Sequence, residues 1–360
     1  MAKSVYIHIP FCKQKCKYCS FISFPCIDRI SKYVSSLLEE IDFYYKGEEL
    51  NTLYFGGGTP SLLDMDSLRK IIEKFNLSEE CEVTLELNPD DADLVYLEKL
   101  LEIGINRLSI GSQSFDDKIL NLIGRRHNSA QIFEAVKLAK ESGFKNISLD
   151  LIYGLPTQTL ESLNKDLEII NRLGIQHLST YGLKIEEESF WGKCPPENLP
   201  DDDSQADMYL VINDFLEKNG YKRYEISNFA QEGFESKHNL NYWNNEEYYG
   251  LGVAAHGYID GIRYSNSCIL DEYITSPLVR KNEHVQSEQE ILEEEIFLGF
   301  RREAGINVAF INKKFGIDFE DKYSNVLEKF VPQYIEKTPQ GYKLTLVGIL
   351  LSNNILSEFI

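Results

Sequence analysis

The sequence predicts an α/β fold organised around a parallel sheet, with a smaller and mostly helical domain at its C-terminal end. Three observations carry that prediction. Short β-branched or apolar runs alternate with helix-period segments through the first half of the chain, the pattern of strand–helix units paired in parallel. The stretch after residue 183 turns acidic and proline-bearing. Residues 285–360 then carry closely spaced helix patterns of their own.

The strand candidates are VYIHI at 5–9, TLYF at 52–55, EVTLEL at 82–87, RLSI at 107–110, NISLDLIY at 146–153 and HLSTY at 177–181. Among the helices between them, SAQIFEAVKLAKESG is the clearest. Ser129 can cap its start, Ile132, Phe133, Val136, Leu138 and Ala139 form one broad apolar face, and Gly143 can take the left-handed stop. Six such units are too few for a closed eight-fold barrel and suit an open barrel or a doubly wound sheet. Next, EEESFWGKCPPENLPDDDS, with Pro195, Pro196 and Pro200, reads as a loop or linker. A helix over about 204–219 follows, then an irregular aromatic and glycine-rich stretch over 221–264. The tail is expected to hold helices near 287–302, 307–315 and 319–330, two short strand-like runs and a terminal helix. The chain therefore divides at residues 1–183, 184–284 and 285–360.

Composition bounds the function. At 360 residues and 43% hydrophobic, the chain can bury one large core or two ordinary ones. No run approaches the roughly 18 apolar residues of a spanning helix, and the start lacks the basic-then-apolar layout of a signal peptide. A cytoplasmic protein without a membrane span is expected, in a compartment where clustered cysteines bind metal more often than they pair. The net charge of −20 repels phosphate backbones, so nucleic acid is excluded as a partner. The tail, with 12 acidic and 8 basic residues over 285–360, has the wrong sign for a DNA reader even if its helices form a winged-helix-like domain.

Chemistry concentrates where the strands end. Of the seven cysteines, Cys12, Cys16 and Cys19 fall within eight residues in C-x3-C-x2-C spacing, which reads as a metal-ligand set because three thiols cannot pair among themselves. A structural zinc would want a fourth ligand, with His8 four residues before Cys12 as the available one, whereas an iron–sulfur cluster suits three thiolates better. Cys26, Cys81, Cys194 and Cys268 are scattered and expected to be unligated. GGGTP at 56–60 follows the second strand, Glu86 ends the third, Gln113 follows the fourth, Asp150 lies in the fifth, and Tyr181 and Gly182 end the sixth. In parallel sheets ligands bind at that rim. Taken singly, each has a plainer reading: GGGTP as a tight turn, Glu86 as a helix cap before Asn88-Pro89, Asp150 as a satisfied buried carboxylate.

The C-x3-C-x2-C loop with Tyr18 before its third cysteine resembles the signature of the radical S-adenosylmethionine (SAM) enzymes. That resemblance implies a [4Fe-4S] cluster held through three irons by Cys12, Cys16 and Cys19, its fourth iron open to SAM. YIHIPFC, GGGTPS, ELNP, GSQSF, RRH and DLIYGLP occur in the order of the coproporphyrinogen-dehydrogenase-like branch, over nearly the whole chain. The resemblance implies an open (β/α)6 partial TIM-type barrel with a smaller, mostly α C-terminal domain. Carried over by motif, Tyr6 and Tyr18 flank the cluster, Gly57, Gly58 and Thr59 meet the SAM amino group, and Glu86, Gln113, Arg125 and Asp150 complete the SAM pocket. These roles are chemically apt, because carboxylates suit ammonium and hydroxyl groups and glycines permit close backbone approach.

Within that branch, the oxygen-independent coproporphyrinogen III oxidases have a further Cys two residues after the third cluster Cys and an extension before the first strand. Phe21 stands at that position here, and five residues precede Tyr6. SKHNLNYWNN instead contains H-N-x-x-Y-W, resembling the motif of the branch's haem chaperones. His238 and Tyr242 are both candidate axial ligands to haem iron, and Trp243 can stack on the macrocycle, though the same residues can simply form an aromatic cluster that closes the open barrel. His256 in GVAAHGY is a further candidate ligand, with a buried, hydrogen-bonded histidine as its plainer reading. The resemblance thus implies a carrier that binds haem as cargo and passes it to an acceptor protein, reached if need be by peripheral membrane contact. Coproporphyrinogen decarboxylation, or radical chemistry on another substrate, is the rival.

Overall fold

The structure, a computed structural model, describes residues 2–360. Six parallel strands run side by side in chain order: β1 (Ser4–Ile9), β2 (Glu49–Gly57), β3 (Asn76–Leu87), β4 (Arg107–Gln113), β5 (Asn146–Tyr153) and β6 (His177–Gly182). Each lies where the sequence places a strand. The alternation within them separates two faces. Val5, Ile7, Leu53, Phe55, Leu108, Ile110, Leu149 and Leu151 are fully buried in the apolar core under the helices. The intervening positions (Tyr6, His8, Tyr54, Glu86, Arg107, Ser109, Asp150 and His177) give the other face a polar lining.

The barrel stays open, because β1 and β6 do not pair with each other. The stretch 221–264, expected to be irregular, supplies the strands that occupy both free edges. β8 (Asn228–Ala230) pairs antiparallel to β6, β7 (Lys222–Arg223) pairs antiparallel to β8 beyond it, and β9 (Tyr249–Leu251) pairs parallel to β1. Strands of two or three residues are too short to show a period of two, which is why the pattern hid them. Beyond them β10 (His256–Ile259), β11 (Ile262–Asn266) and β12 (Arg280–Val285) form a separate antiparallel sheet.

The helix Ser129–Ser142 is capped one residue earlier than expected. Asn128 accepts from the Gln131 backbone N–H (3.0 Å) while the Gln131 side chain returns to the Asn128 N–H (3.0 Å), and the Ser129 N–H is taken by Asp117 (2.7 Å). Gly143 stops the helix with φ +110°, as read from sequence. Phe133, placed on the buried face by its spacing, is 42% exposed, and Ala135 is buried instead.

In the tail, helices Glu288–Gly299 and Val308–Phe315 lie close to expectation, while the one expected over 319–330 breaks into Phe319–Lys322 and Ser324–Phe330 at Tyr323. These helices pack with a three-stranded sheet around their own apolar cluster, from Leu292 to Phe359, joined by Tyr209. Among the described residues no helix is long and apolar enough to cross a membrane.

Candidate functional site

A cavity of about 370 Å³ opens at the C-terminal rim of the six strands, lined by Cys12, Cys16, Cys19, Tyr18, Gly58, Thr59, Glu86, Gln113, Arg125 and Asp150 among others. The cysteine loop that follows β1 is fastened by its backbone. The Cys12 N–H donates to Phe24 O (3.1 Å), the Lys17 N–H to Ile123 O (3.0 Å), and Lys17 O accepts from the Trp191 N–H (3.0 Å). The Tyr18 ring lies 6.4 Å from that of Trp191, which is itself buried. Thr59 Oγ1 sits 3.5 Å from Cys12 Sγ. Arg125 donates to Gly111 O (2.6 Å) and Asn88 Oδ1 (2.7 Å), with its other nitrogen 3.5 Å from Cys16 Sγ. Among the described residues no three His, Cys, Asp or Glu side chains converge on a single ion.

The glycine loop owes its sequence to close approach. Gly57 has φ +109°, and a Cβ on Gly58 would lie 2.6 Å from Phe11 O and 2.9 Å from Ile9 O. The loop therefore rests directly on the backbone that leads into the cysteines. Glu86 caps no helix: its carboxylate accepts from the Gly57 N–H (3.0 Å) and the Tyr54 hydroxyl (2.9 Å). Burial, and then the neighbouring Asp150 carboxylate, push Glu86 up to about 7. Burial likewise raises Asp150, against the pull of Ser179, Arg107 and Ser109, whose hydroxyl lies 3.3 Å away. Two buried carboxylates thus face one cavity, an arrangement that favours a cationic or hydroxyl-rich ligand. Gln113, at φ +67°, closes β4 beside them.

The remaining sequence candidates lie elsewhere. Tyr6 is absent from the cavity wall: its hydroxyl is 3.1 Å from His8 Nδ1, and its ring stacks on Tyr54 (6.0 Å) and neighbours His238 (6.4 Å). His238 is fully buried, with Nδ1 at 2.7 Å from Thr52 Oγ1 and Nε2 at 2.8 Å from the Tyr242 hydroxyl, while its ring stacks on Tyr54 at 4.9 Å. Burial lowers its pKa to about 3, so it is neutral and has no free nitrogen. Trp243 ends the same helix, Lys237–Trp243, half-buried. His256, read as buried and hydrogen-bonded, is instead exposed at the start of β10. Glu86, Tyr54, His238 and Tyr242 form a continuous line of contacts from the cavity to the outer end of the H-N-x-x-Y-W helix.

Sequence reading passed over Arg107, Asn88 and Trp191. Arg107 is 2% exposed in the polar lining between the two carboxylates and the buried histidines. A basic residue in an otherwise apolar strand was the available signal. Trp191, inside the presumed linker, had none.

Residues 6–170 match the model of the radical SAM superfamily, and residues 286–351 that of the HemN C-terminal domain. The chain is 39% identical to the heme chaperone HemW of Lactococcus lactis over 99% of this chain and 97% of that protein, and 36% identical to the HemW of Bacillus subtilis over 99% of both. In fold it resembles the coproporphyrinogen III oxidase HemN of Escherichia coli, with a TM-score of 0.86 at 24% identity over 99% of this chain and 89% of that one. Near end-to-end similarity at these identities settles descent: the chain belongs to the HemW family of the radical SAM superfamily.

Proposed function

We propose that this protein is a haem chaperone of the cytoplasm, which binds haem and transfers it to an acceptor protein while holding a [4Fe-4S] cluster and SAM in the rim cavity. The observation that carries this reading is the full-length similarity to the two heme chaperones. Phe21 agrees with it: the side chain is 65% exposed at the cavity wall, where it offers no further thiol.

The rim residues fit the cofactors. Three soft sulfur donors line one cavity, and burial pushes the Cys19 thiol up to about 11, so its thiolate needs a bound cation to persist. Glu86 and Asp150 would hold the ammonium and ribose hydroxyls of SAM, Gln113 would donate or accept beside them, and Gly58 would let its backbone approach. When bound and reduced, such a cluster would supply the electron that any SAM cleavage requires. Arg125 keeps a positive charge beside Cys16 and fixes Asn88. All seven cysteines are unpaired, as suits a reducing compartment.

Anaerobic reconstitution is expected to give about four irons per chain, reduced by Cys16→Ala. A haem titration should yield one Soret-shifted species per chain. With reductant, SAM and coproporphyrinogen III, the reconstituted protein should form no protoporphyrinogen. Turnover there would overturn the carrier reading.

A further inference from the structure

A second cavity, of about 420 Å³, lies against the outer end of the H-N-x-x-Y-W helix, and Tyr242, Tyr248, His256, Arg263, Tyr264 and Leu298 contribute to its wall. The wall is built rather than incidental. Tyr242 and Tyr248 meet edge to face at 4.6 Å. Tyr264 is buried, and its hydroxyl accepts from the Gly250 N–H (3.1 Å). Arg263 donates to Asn245 Oδ1 (2.7 Å) and Glu294 (2.5 Å), with its guanidinium over the Tyr258 ring at 4.1 Å. Pairing of His256 with Ser265 across β10 and β11 sets the direction of the His256 side chain.

The histidines decide what the cavity can take. His8, His127, His177 and His238 are buried and hydrogen-bonded through their rings, to Tyr6 and Ile22, to Ser112, to Ser148 and Tyr224, and to Thr52 and Tyr242 respectively. His284 is exposed but engaged by Glu290 at 2.8 Å. Of the six, His256 alone is exposed with a ring that makes no hydrogen bond within the protein, and it faces a cavity. A bare transition-metal ion would want three or four protein ligands, and no such group exists among the described residues. One free imidazole beside tyrosine rings suits a metal that arrives with its equatorial positions filled by a planar π-system.

We propose that this second cavity holds the haem cargo, with His256 as the axial ligand to iron, and that His238 is a positioning residue which fixes Tyr242 in the cavity wall. The assignment rests on the haem-carrier reading and moves the ligand out of the H-N-x-x-Y-W motif. An exposed, singly ligated site also suits a cargo that must leave, since an acceptor can reach the open face of the iron.

The test is a haemin titration of the full-length chain, read by absorbance and by magnetic circular dichroism for imidazole ligation. The wild type should give one Soret-shifted, imidazole-ligated species. His256→Ala and His256→Gln should lose that signature while keeping the wild-type thermal melt, and added imidazole should restore it to His256→Gly. His284→Ala should leave it in place. An unchanged imidazole signature in folded His256→Ala would overturn the assignment while leaving haem binding intact. Absence of any Soret shift in the wild type would remove the haem reading itself, and this site with it.

Discussion

Glu86 and Asp150 show how burial prepares a site for its ligand. With burial and mutual repulsion holding Glu86 up to about 7, its charge is incomplete at neutral pH unless a cation or donor enters the cavity. A ligand that needs the ionised carboxylate must compete with the proton below that value. SAM affinity, measured calorimetrically, is therefore expected to weaken as pH falls below about 7 in the wild type and to be lower and nearly flat in Glu86→Gln. A wild-type affinity that rose on acidification would remove Glu86 as a SAM contact. Asp150→Ala should weaken SAM binding about 10- to 100-fold, the worth of one charge-assisted hydrogen bond, with iron content unchanged because Asp150 ligates no iron. At this scale the sequence located the rim residues well, since strand ends are readable. It left the surroundings of Tyr6, His238 and His256 open, because hydrogen-bond partners such as Thr52 for His238 come from strands far away in the chain.

The loop after β2 and the cysteine loop after β1 behave as one element. Gly58 donates to Ile9 O at 2.8 Å, and any side chain there would press on the backbone of Ile9 and Phe11. Backbone cannot rotate away as a flexible side chain does. Gly58→Ala should thus cost about 1–3 kcal/mol and displace Cys12. A lowered thermal midpoint together with poorer iron retention after reconstitution would show it, whereas an unchanged midpoint would mean that the loops are independent. The strands and most helices were legible because their patterns are long. The Asn128 cap, the break at Tyr323 and the two- and three-residue strands β7 to β9 were not, because each depends on a single local bond or on an edge that another part of the chain offers.

The molecule as a whole carries two opposed sets of buried titratable groups. Burial lowers the pKa of His8, His127, His177 and His238 from 6.5, with His127 and His238 reaching about 3. Their stabilisation is complete above pH 6.5 and is lost as pH falls through the folded values. Burial raises Glu40, Glu86 and Glu225 from 4.5 to about 7, so their stabilisation is complete below pH 4.5 and is lost as pH rises through 7. The two slopes oppose each other between pH 4.5 and 6.5; below 4.5 the raised Asp150 and Asp166 offset the histidines only down to 3.8, while Glu290, lowered to about 2, adds to the loss. The thermal midpoint should accordingly change little across that window and fall below it. A midpoint that climbed below pH 4.5 would contradict the buried, neutral state of these histidines.

By itself the sequence determined the strand–helix order, the thiolate spacing and the family, because each is written in residues close together or in motifs fixed along the chain. Tertiary structure decided which candidates share a site. The curvature of the sheet brings Glu86, Gln113, Arg125 and Asp150 to the cysteines. The same curvature encloses His238 between Thr52 and Tyr242. It leaves His256 free at the surface. Spacing along a chain records periodicity and local turns, whereas exposure and a free lone pair are set by what the rest of the fold places around a residue.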